Sequence, residues 1–127
     1  MSSQLTVYKA SAGSGKTFTL AREYMTLVIA NPASYRTILA VTFTNKATEE
    51  MKMRILGKLY EIAHGLPEAN DYVNQIQQAL PYLSSEQIQK NAESALHLLI
   101  HNYNYFRVMT IDTFFQSVLR NLARELD

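Results

Sequence analysis

The sequence contains no cysteine among its 127 residues. Disulfides, zinc–cysteine centres and thiol catalysis are therefore excluded. It also lacks a long apolar run, having nothing near the roughly 20 residues that a transmembrane helix needs. The opening Met1-Ser2-Ser3-Gln4 has neither the basic n-region nor the apolar h-region of a secretory signal. The expectation is a cytoplasmic protein, or a piece of one, with no membrane partner. Net charge is nearly absent, since 12 Lys/Arg against 11 Asp/Glu leave +1, which does not announce a nucleic-acid binder. No internal repeat or low-complexity tract is present.

What is there suffices for one globular domain. Hydrophobic residues make up 47% of the chain and charged residues 18%, but the length leaves no room for two domains of about 100 residues each. The charge is unevenly spread. Residues 1–60 carry eight Lys/Arg and three Asp/Glu, giving +5, residues 61–101 total −4, and residues 102–127 balance. A basic first half suits an anionic ligand such as a phosphate chain, although on charge alone the imbalance reads first as a solvated face.

The periodicity alternates between strand and helix. Leu5-Thr6-Val7-Tyr8-Lys9 is short, β-branched and aromatic, and reads as a buried strand. From Lys16 the apolar spacing turns helical through Leu20, Tyr24 and Val28 until Asn31-Pro32 stops it. Residues 38–43 form a second, almost wholly apolar strand, as in a parallel sheet covered on both faces. A helix follows from Asn45 with a stripe at Ala47, Met51, Ile55, Leu59 and Ala63, and Gly65 is its stop. Residues 66–101 read as two helices joined at Pro81-Tyr82-Leu83-Ser84, with Ser84 and Gln87 placed as a capping box. Val108-Met109-Thr110-Ile111 returns to strand, and a last helix carries Phe115, Val118, Leu119, Leu122 and Leu126. The expected class is α/β, a partial parallel sheet flanked by helices with a helical insertion at about 66–101.

Between the first strand and first helix lies Ala10-Ser11-Ala12-Gly13-Ser14-Gly15-Lys16-Thr17, a Walker A pattern with Ala in place of the first Gly. Gly13 and Gly15 allow the backbone to curl into a nest whose N–H groups face phosphate oxygens. The helix N-terminus adds partial positive charge. Lys16 would reach the β- and γ-phosphates of ATP, and the Thr17 hydroxyl would ligate Mg²⁺. Only a small residue is needed at Ala10, so that departure is mild. Phosphate-bond cleavage also needs a strand-end acid and a group that orients water. Ile111-Asp112 is the one apolar strand ending in an acid, and Thr113 rather than Glu follows it.

The second strand runs into Thr42-Phe43-Thr44-Asn45-Lys46. Open α/β sheets bind ligands at this carboxyl edge. An aromatic ring there, flanked by hydroxyls, an amide and a lysine, suits stacking on a base. A core Phe43 beside a helix-capping Asn45 explains the same residues equally well.

Residues 10–17, the run Leu-Ala-Val-Thr-Phe-Thr-Asn-Lys-Ala at 39–47 with Glu49-Glu50-Met51, and Met-Thr-Ile-Asp-Thr-Phe at 109–114 resemble motifs I, Ia and Ib of superfamily 1 DNA helicases. The UvrD/Rep and RecB/AddA group is the most similar, and the Ala-Ser-Ala-Gly form of the loop leans toward RecB/AddA. The resemblance implies a P-loop NTPase (RecA-like) fold over residues 1–127, forming the N-terminal part of motor domain 1A. It implies ATP and Mg²⁺ held by Ala10 to Thr17, with Lys16 and Thr17 catalytic. It implies single-stranded DNA facing Thr42, Phe43, Thr44, Asn45 and Thr110. The family commonly carries Thr-x-His in the third motif, where this chain has Asp112, and capping the last helix through Asp112 or Thr113 suits that acid better than touching phosphate. The family's Walker B acids, arginine fingers and second motor domain have no counterpart in these residues. The chain therefore reads as the N-terminal fragment of a longer ATP-dependent DNA helicase of repair or recombination, partnered by helicase domains downstream and by a nuclease subunit or domain. The acidic 66–101 segment reads as an accessory flap away from DNA.

Two other functions fit the loop. One is a small phosphotransferase using Asp112 as its Walker B acid, and the other is a non-catalytic nucleotide-binding scaffold. His97 and His101 share a helix face, but Leu98, Leu99 and Ile100 lie between them and no third ligand is evident, so they read as ordinary helix histidines. Tyr103, Tyr105, Phe106 and Arg107 could stack on bases, and the preferred reading is that they cover the end of the sheet.

Overall fold

Three short apolar segments pair as a parallel sheet whose strands all end at one edge. The computed structural model describes residues 4–7 and 15–126, with side chains from Thr17 to Leu126. Strands β1 (Gln4–Val7), β2 (Ile38–Thr42) and β3 (Arg107–Thr110) lie in that order. Val7 stands opposite Val41, and Thr42 opposite Thr110. The α/β expectation holds. Tyr8 and Lys9 of the first expected strand lie outside the described residues. Thr110 ends β3, and Ile111 already opens a helix.

Helix α1 (Gly15–Ala30) buries Leu20, Ala21, Tyr24, Met25, Val28 and Ile29. Its chain then enters a 3₁₀ segment, Pro32–Thr37, that periodicity did not foretell. Asn31 caps that segment, its side chain accepting from the Ala33 N–H at 3.2 Å, with Pro32 preset for the first turn.

Helix α2 (Asn45–Ala63) buries Ala47, Met51, Ile55 and Leu59, then Ile62 in place of the expected Ala63. Steps of four residues overshoot the helical turn by about 40° each, so a long stripe must step back by three. Gly65 ends the helix as expected, at φ +66°. The Leu66 N–H donates to the Glu61 carbonyl at 2.9 Å and the Gly65 N–H to that of Ile62 at 3.1 Å. This paired closure requires a left-handed residue, the conformation glycine adopts without a Cβ penalty.

Helices α3 (Asn70–Ala79) and α4 (Ser85–His101) follow. The Ser84 hydroxyl accepts from the Gln87 N–H at 3.1 Å, as its position suggested. The expectation of a flap is not met. Ile88, Ala92, Ala95 and Leu99 are buried, and α4 packs against both α2 and α1. The Asn91 amide donates at 2.7 Å to the Ile29 carbonyl, one of those left open in the last turn of α1. Phe18 stacks on Tyr72 at 4.2 Å, which ties α3 to α1. The apolar faces of α1, α2, α3 and α4 thus join one core with β2 and β3.

Tyr24 sits inside that core against Phe106, with ring centroids 5.4 Å apart. Among the described residues its hydroxyl has no hydrogen-bond partner, and burial pushes the phenol pKa well above its ordinary value. The last helix, α5 (Ile111–Leu126), contrasts with the rest. It buries none of its residues, and Phe115, Leu119, Leu122 and Leu126 stand exposed along one stripe. Among the described residues no helix is long and apolar enough to cross a membrane.

Two stability measurements follow from this packing. Leu99→Ala is expected to lower unfolding free energy by about 2–4 kcal/mol in urea titration, while its exposed neighbour Ile100→Ala changes it by less than about 0.5 kcal/mol. A detached flap would make the two alike. Tyr24→Phe removes the unsatisfied hydroxyl and is expected to raise stability by roughly 1 kcal/mol, read as a higher Tm.

Candidate functional site at the carboxyl edge of the sheet

Because the strands are parallel and each runs on into a helix, three helix N-termini gather at one edge. Helix α1 follows β1, α2 follows β2, and α5 follows β3 directly. Each brings the positive end of its macrodipole to that edge. The first turns of α1 and α2 contain no acidic residue, and that of α5 contains Asp112. An anion approaching the first two meets no carboxylate competing within those turns.

The same edge collects the buried hydroxyls. Among the described residues no charged side chain is buried, and the buried polar ones, tyrosines aside, are Thr17, Thr42, Thr48 and Thr110. Thr17 lies in the first turn of α1 at 2% exposure. Thr42 ends β2 at 1% exposure, its hydroxyl 2.6 Å from that of Thr48 and 3.4 Å from the Met109 carbonyl of β3. Thr42 therefore does not reach the surface, where the helicase resemblance would have it face DNA. Strand alternation turns it inward, and Thr48 holds it there. Thr48 escaped the sequence reading, although one signal could have found it: a hydroxyl on the apolar face shared by Ala47, Met51 and Ile55.

Capping is assigned differently from expectation. Thr44, not Asn45, caps α2, accepting from the Ala47 N–H at 3.0 Å with an extended backbone. Asn45 becomes the first helical residue, with its side chain exposed. Phe43 is 51% exposed, so the core reading of that ring fails. Phe43, Thr44 and Asn45 form an exposed turn between the end of β2 and the start of α2.

At β3, Thr110 is largely buried and caps α5, accepting from the Thr113 N–H at 3.2 Å. This replaces the expected capping by Asp112 or Thr113. Asp112 lies exposed in the first turn of α5, beyond the strand, where its charge complements the dipole. A Walker B acid at a strand end, as the phosphotransferase alternative needs, is not what Asp112 supplies here.

Of the phosphate-loop residues, Ala10, Ser11, Ala12, Gly13 and Ser14 lie outside the described residues. Gly15 and Lys16 are described as the first backbone positions of α1. Elsewhere, a hollow between α1 and α3 is lined by Arg22, Glu23 and Gln75, but its arginine already pairs with Glu23 at 3.0 Å and donates to Gln75. His97 and His101 stack at 5.9 Å on an exposed face, and no group of three or more His, Cys, Asp or Glu gathers among the described residues.

A parallel α/β sheet that gathers helix N-termini and buried hydroxyls at its carboxyl edge belongs to the class of domains that bind ligands at that edge. More narrowly, the chain belongs to the UvrD/REP helicase N-terminal domain family, whose model matches residues 1–127. It is 34% identical to the RecBCD enzyme subunit RecB of Escherichia coli (strain K12) over 128 residues, covering 92% of this chain and 10% of that protein. It is 34% identical to RecB of Borreliella burgdorferi over 111 residues, covering 87% of this chain and 9% of that protein. It is 48% identical to the ATP-dependent DNA helicase UvrD1 of Mycobacterium bovis over 54 residues, covering 42% of this chain and 7% of that protein. The chain thus spans about a tenth or less of the length of these curated relatives. No solved structure gives a significant match.

The cap assignment is open to direct measurement. Thr44→Ala is expected to destabilise the chain by about 1 kcal/mol, and Asn45→Ala by a few tenths at most. Equal losses in chemical denaturation would return the cap to Asn45.

Proposed function

We propose that the chain is the N-terminal ATP-binding segment of an ATP-dependent DNA helicase that moves on single-stranded DNA in repair or recombination, with a P-loop NTPase fold. The family match over residues 1–127 carries this reading. The edge geometry supports it, because Phe43 is exposed at the carboxyl edge that also receives the start of α1.

The roles divide by chemistry. Ala10 to Gly15 would wrap phosphates with backbone N–H groups. Lys16 would neutralise the β- and γ-phosphates, and Thr17 would hold Mg²⁺. The residues fit these groups, since α1 opens without an acid in its first turn and sets a threonine there. Bound ATP and Mg²⁺ supply the cleavable phosphoanhydride and its charge neutralisation. Phe43 offers its ring to a base, with Thr44 and Asn45 as polar neighbours. Thr42 and Thr110 act as positioning residues. The Thr42–Thr48 hydroxyl pair fixes where α2 leaves the sheet, and Thr110 fixes α5. Further helicase domains and a nuclease subunit or domain would complete the machine.

The expected behaviour of the 127-residue chain is nucleotide binding with negligible turnover. Lys16→Ala is expected to weaken binding of a fluorescent ATP analogue about tenfold or more, since hydrogen bonds to charged groups contribute about 1.5–3 kcal/mol. Phe43→Ala is expected to weaken binding of single-stranded DNA by about 1–3 kcal/mol in fluorescence anisotropy. Sustained DNA-stimulated ATP hydrolysis by these residues alone would overturn the reading as a segment of a larger motor.

A further inference from the structure

The opposite edge of the sheet carries a second constellation. Parallel pairing places the amino ends of β2 and β3 side by side, with Leu39 opposite Arg107. The 3₁₀ segment Pro32–Thr37 leads into β2, and a shorter one, Tyr103–Tyr105, leads almost directly into β3. This juxtaposition interleaves cations and rings. The Arg36 guanidinium lies 4.6 Å from the centroid of Tyr105, and that of Arg107 lies 5.7 Å from the same ring. The Lys52 ammonium of α2 lies 4.9 Å from the centroid of Tyr103.

Among the described residues none of these three cations has an acidic partner. Among the described residues the ion pairs are Arg22–Glu23 and Lys58–Glu61. Two guanidinium groups therefore share one ring with no carboxylate to balance them, an arrangement that an anion would relieve. Arg36 is also held in place. Its Nε donates to the Tyr35 hydroxyl at 3.1 Å, and Tyr35 is itself buried. That bond raises the Arg36 pKa above its already high value. Arg36 is exposed, and a guanidinium anchored through Nε still carries Nη donors in the planar fork that suits phosphate oxygens. Tyr103 is 47% exposed and Tyr105 37% exposed, so ring surface stands beside the charges.

We propose that Arg36, Tyr105 and Arg107, with Lys52 and Tyr103 beside them, form a second contact surface for single-stranded nucleic acid. The arginines take backbone phosphates and the tyrosine rings meet bases. The proposal rests on the reading of the chain as a single-stranded DNA translocase segment, and it adds a contact separated from Phe43 by the length of β2, about 16 Å at strand rise. Phosphates alone would satisfy the arginines, but rings set between cations suit a strand that presents phosphate and base together.

The test measures anisotropy of a labelled 20-nucleotide oligothymidylate against salt concentration, using the 127-residue chain. Arg36→Gln with Arg107→Gln is expected to weaken binding about tenfold and to reduce the slope of log affinity against log salt by about 1.4, at about 0.7 per phosphate contact on single strands. Arg36→Lys with Arg107→Lys keeps the slope and loses affinity several-fold, because the charge stays and the fork goes. An abasic strand binds more weakly than oligothymidylate, whereas equal binding would reduce the surface to a plain phosphate site and overturn the base contact. An unchanged slope in the glutamine pair overturns the second surface. If Phe43→Ala alone weakens binding, the carboxyl-edge reading stands and this one falls, and the reverse pattern does the opposite. An unmodified chain that binds no strand overturns both. Photocrosslinking of the unmodified chain to a 5-iodouracil strand needs no substitution to fold. Adducts within 103–107 support the proposal, and adducts confined to 42–48 overturn it.

Discussion

The arrangement of the carboxyl edge depends on two threonine hydroxyls meeting at 2.6 Å. Thr42 ends β2 and Thr48 lies in the second half-turn of α2, so their contact fixes the angle at which the chain turns from strand to helix. A buried hydroxyl must find a partner or lose stability, and here each satisfies the other. Once that corner is fixed, Thr44 is extended and can cap α2, and Asn45 is released from capping. Phe43, between an inward Thr42 and a capping Thr44, is left with about half of its surface in solvent. The exposed ring is thus a consequence of the hydroxyl pair behind it.

The helical layers complete the domain rather than decorate it. Residues 66–101 are acidic and interrupt the alternation of strand and helix, which suggested an appendage. Yet their inner face is a run of small and branched apolar residues, Ile88, Ala92, Ala95 and Leu99, that fits between α1 and α2. The alanines let the helices approach closely, and Asn91 closes the end of α1. The negative charge of the segment resides on its outer face, where Glu86 and Glu93 are exposed. Only α5 stays apart, with a pronounced apolar stripe that nothing among the described residues covers.

The two edges of the sheet differ in kind. At the carboxyl edge, partial positive charge comes from backbone, at helix N-termini, with threonines as the buried polar groups. At the amino edge it comes from side chains, with arginines laid on tyrosine rings. Backbone dipoles suit one well-placed anion held close, whereas several cations set between rings suit a repeating polyanion. Of the eight Lys/Arg of residues 1–60, Lys16 opens α1 at the first edge, and Arg36 and Lys52 lie at the second.

Much of the fold was legible in sequence because strand and helix are written in local periods. Leu20, Tyr24 and Val28 mark α1, Gly65 marks the end of α2, and Ser84 marks the start of α4, each by chemistry within a few residues. The pattern at 10–17 is local in the same way, lying in sequence between β1 and α1. What local period does not contain is which partner arrives from elsewhere in the chain. Thr42 and Phe43 are adjacent and equally plausible as surface residues, and only the approach of Thr48 buries one and leaves the other in water. Thr44 and Asn45 are both good caps, and backbone dihedrals chose between them. Arg36 and Tyr105 lie far apart in sequence and meet only because β2 and β3 pair in parallel, which brings their preceding turns together. Composition and spacing set the elements. Burial, capping and the meeting of distant charges came from packing, because they are properties of pairs that no single stretch of chain specifies.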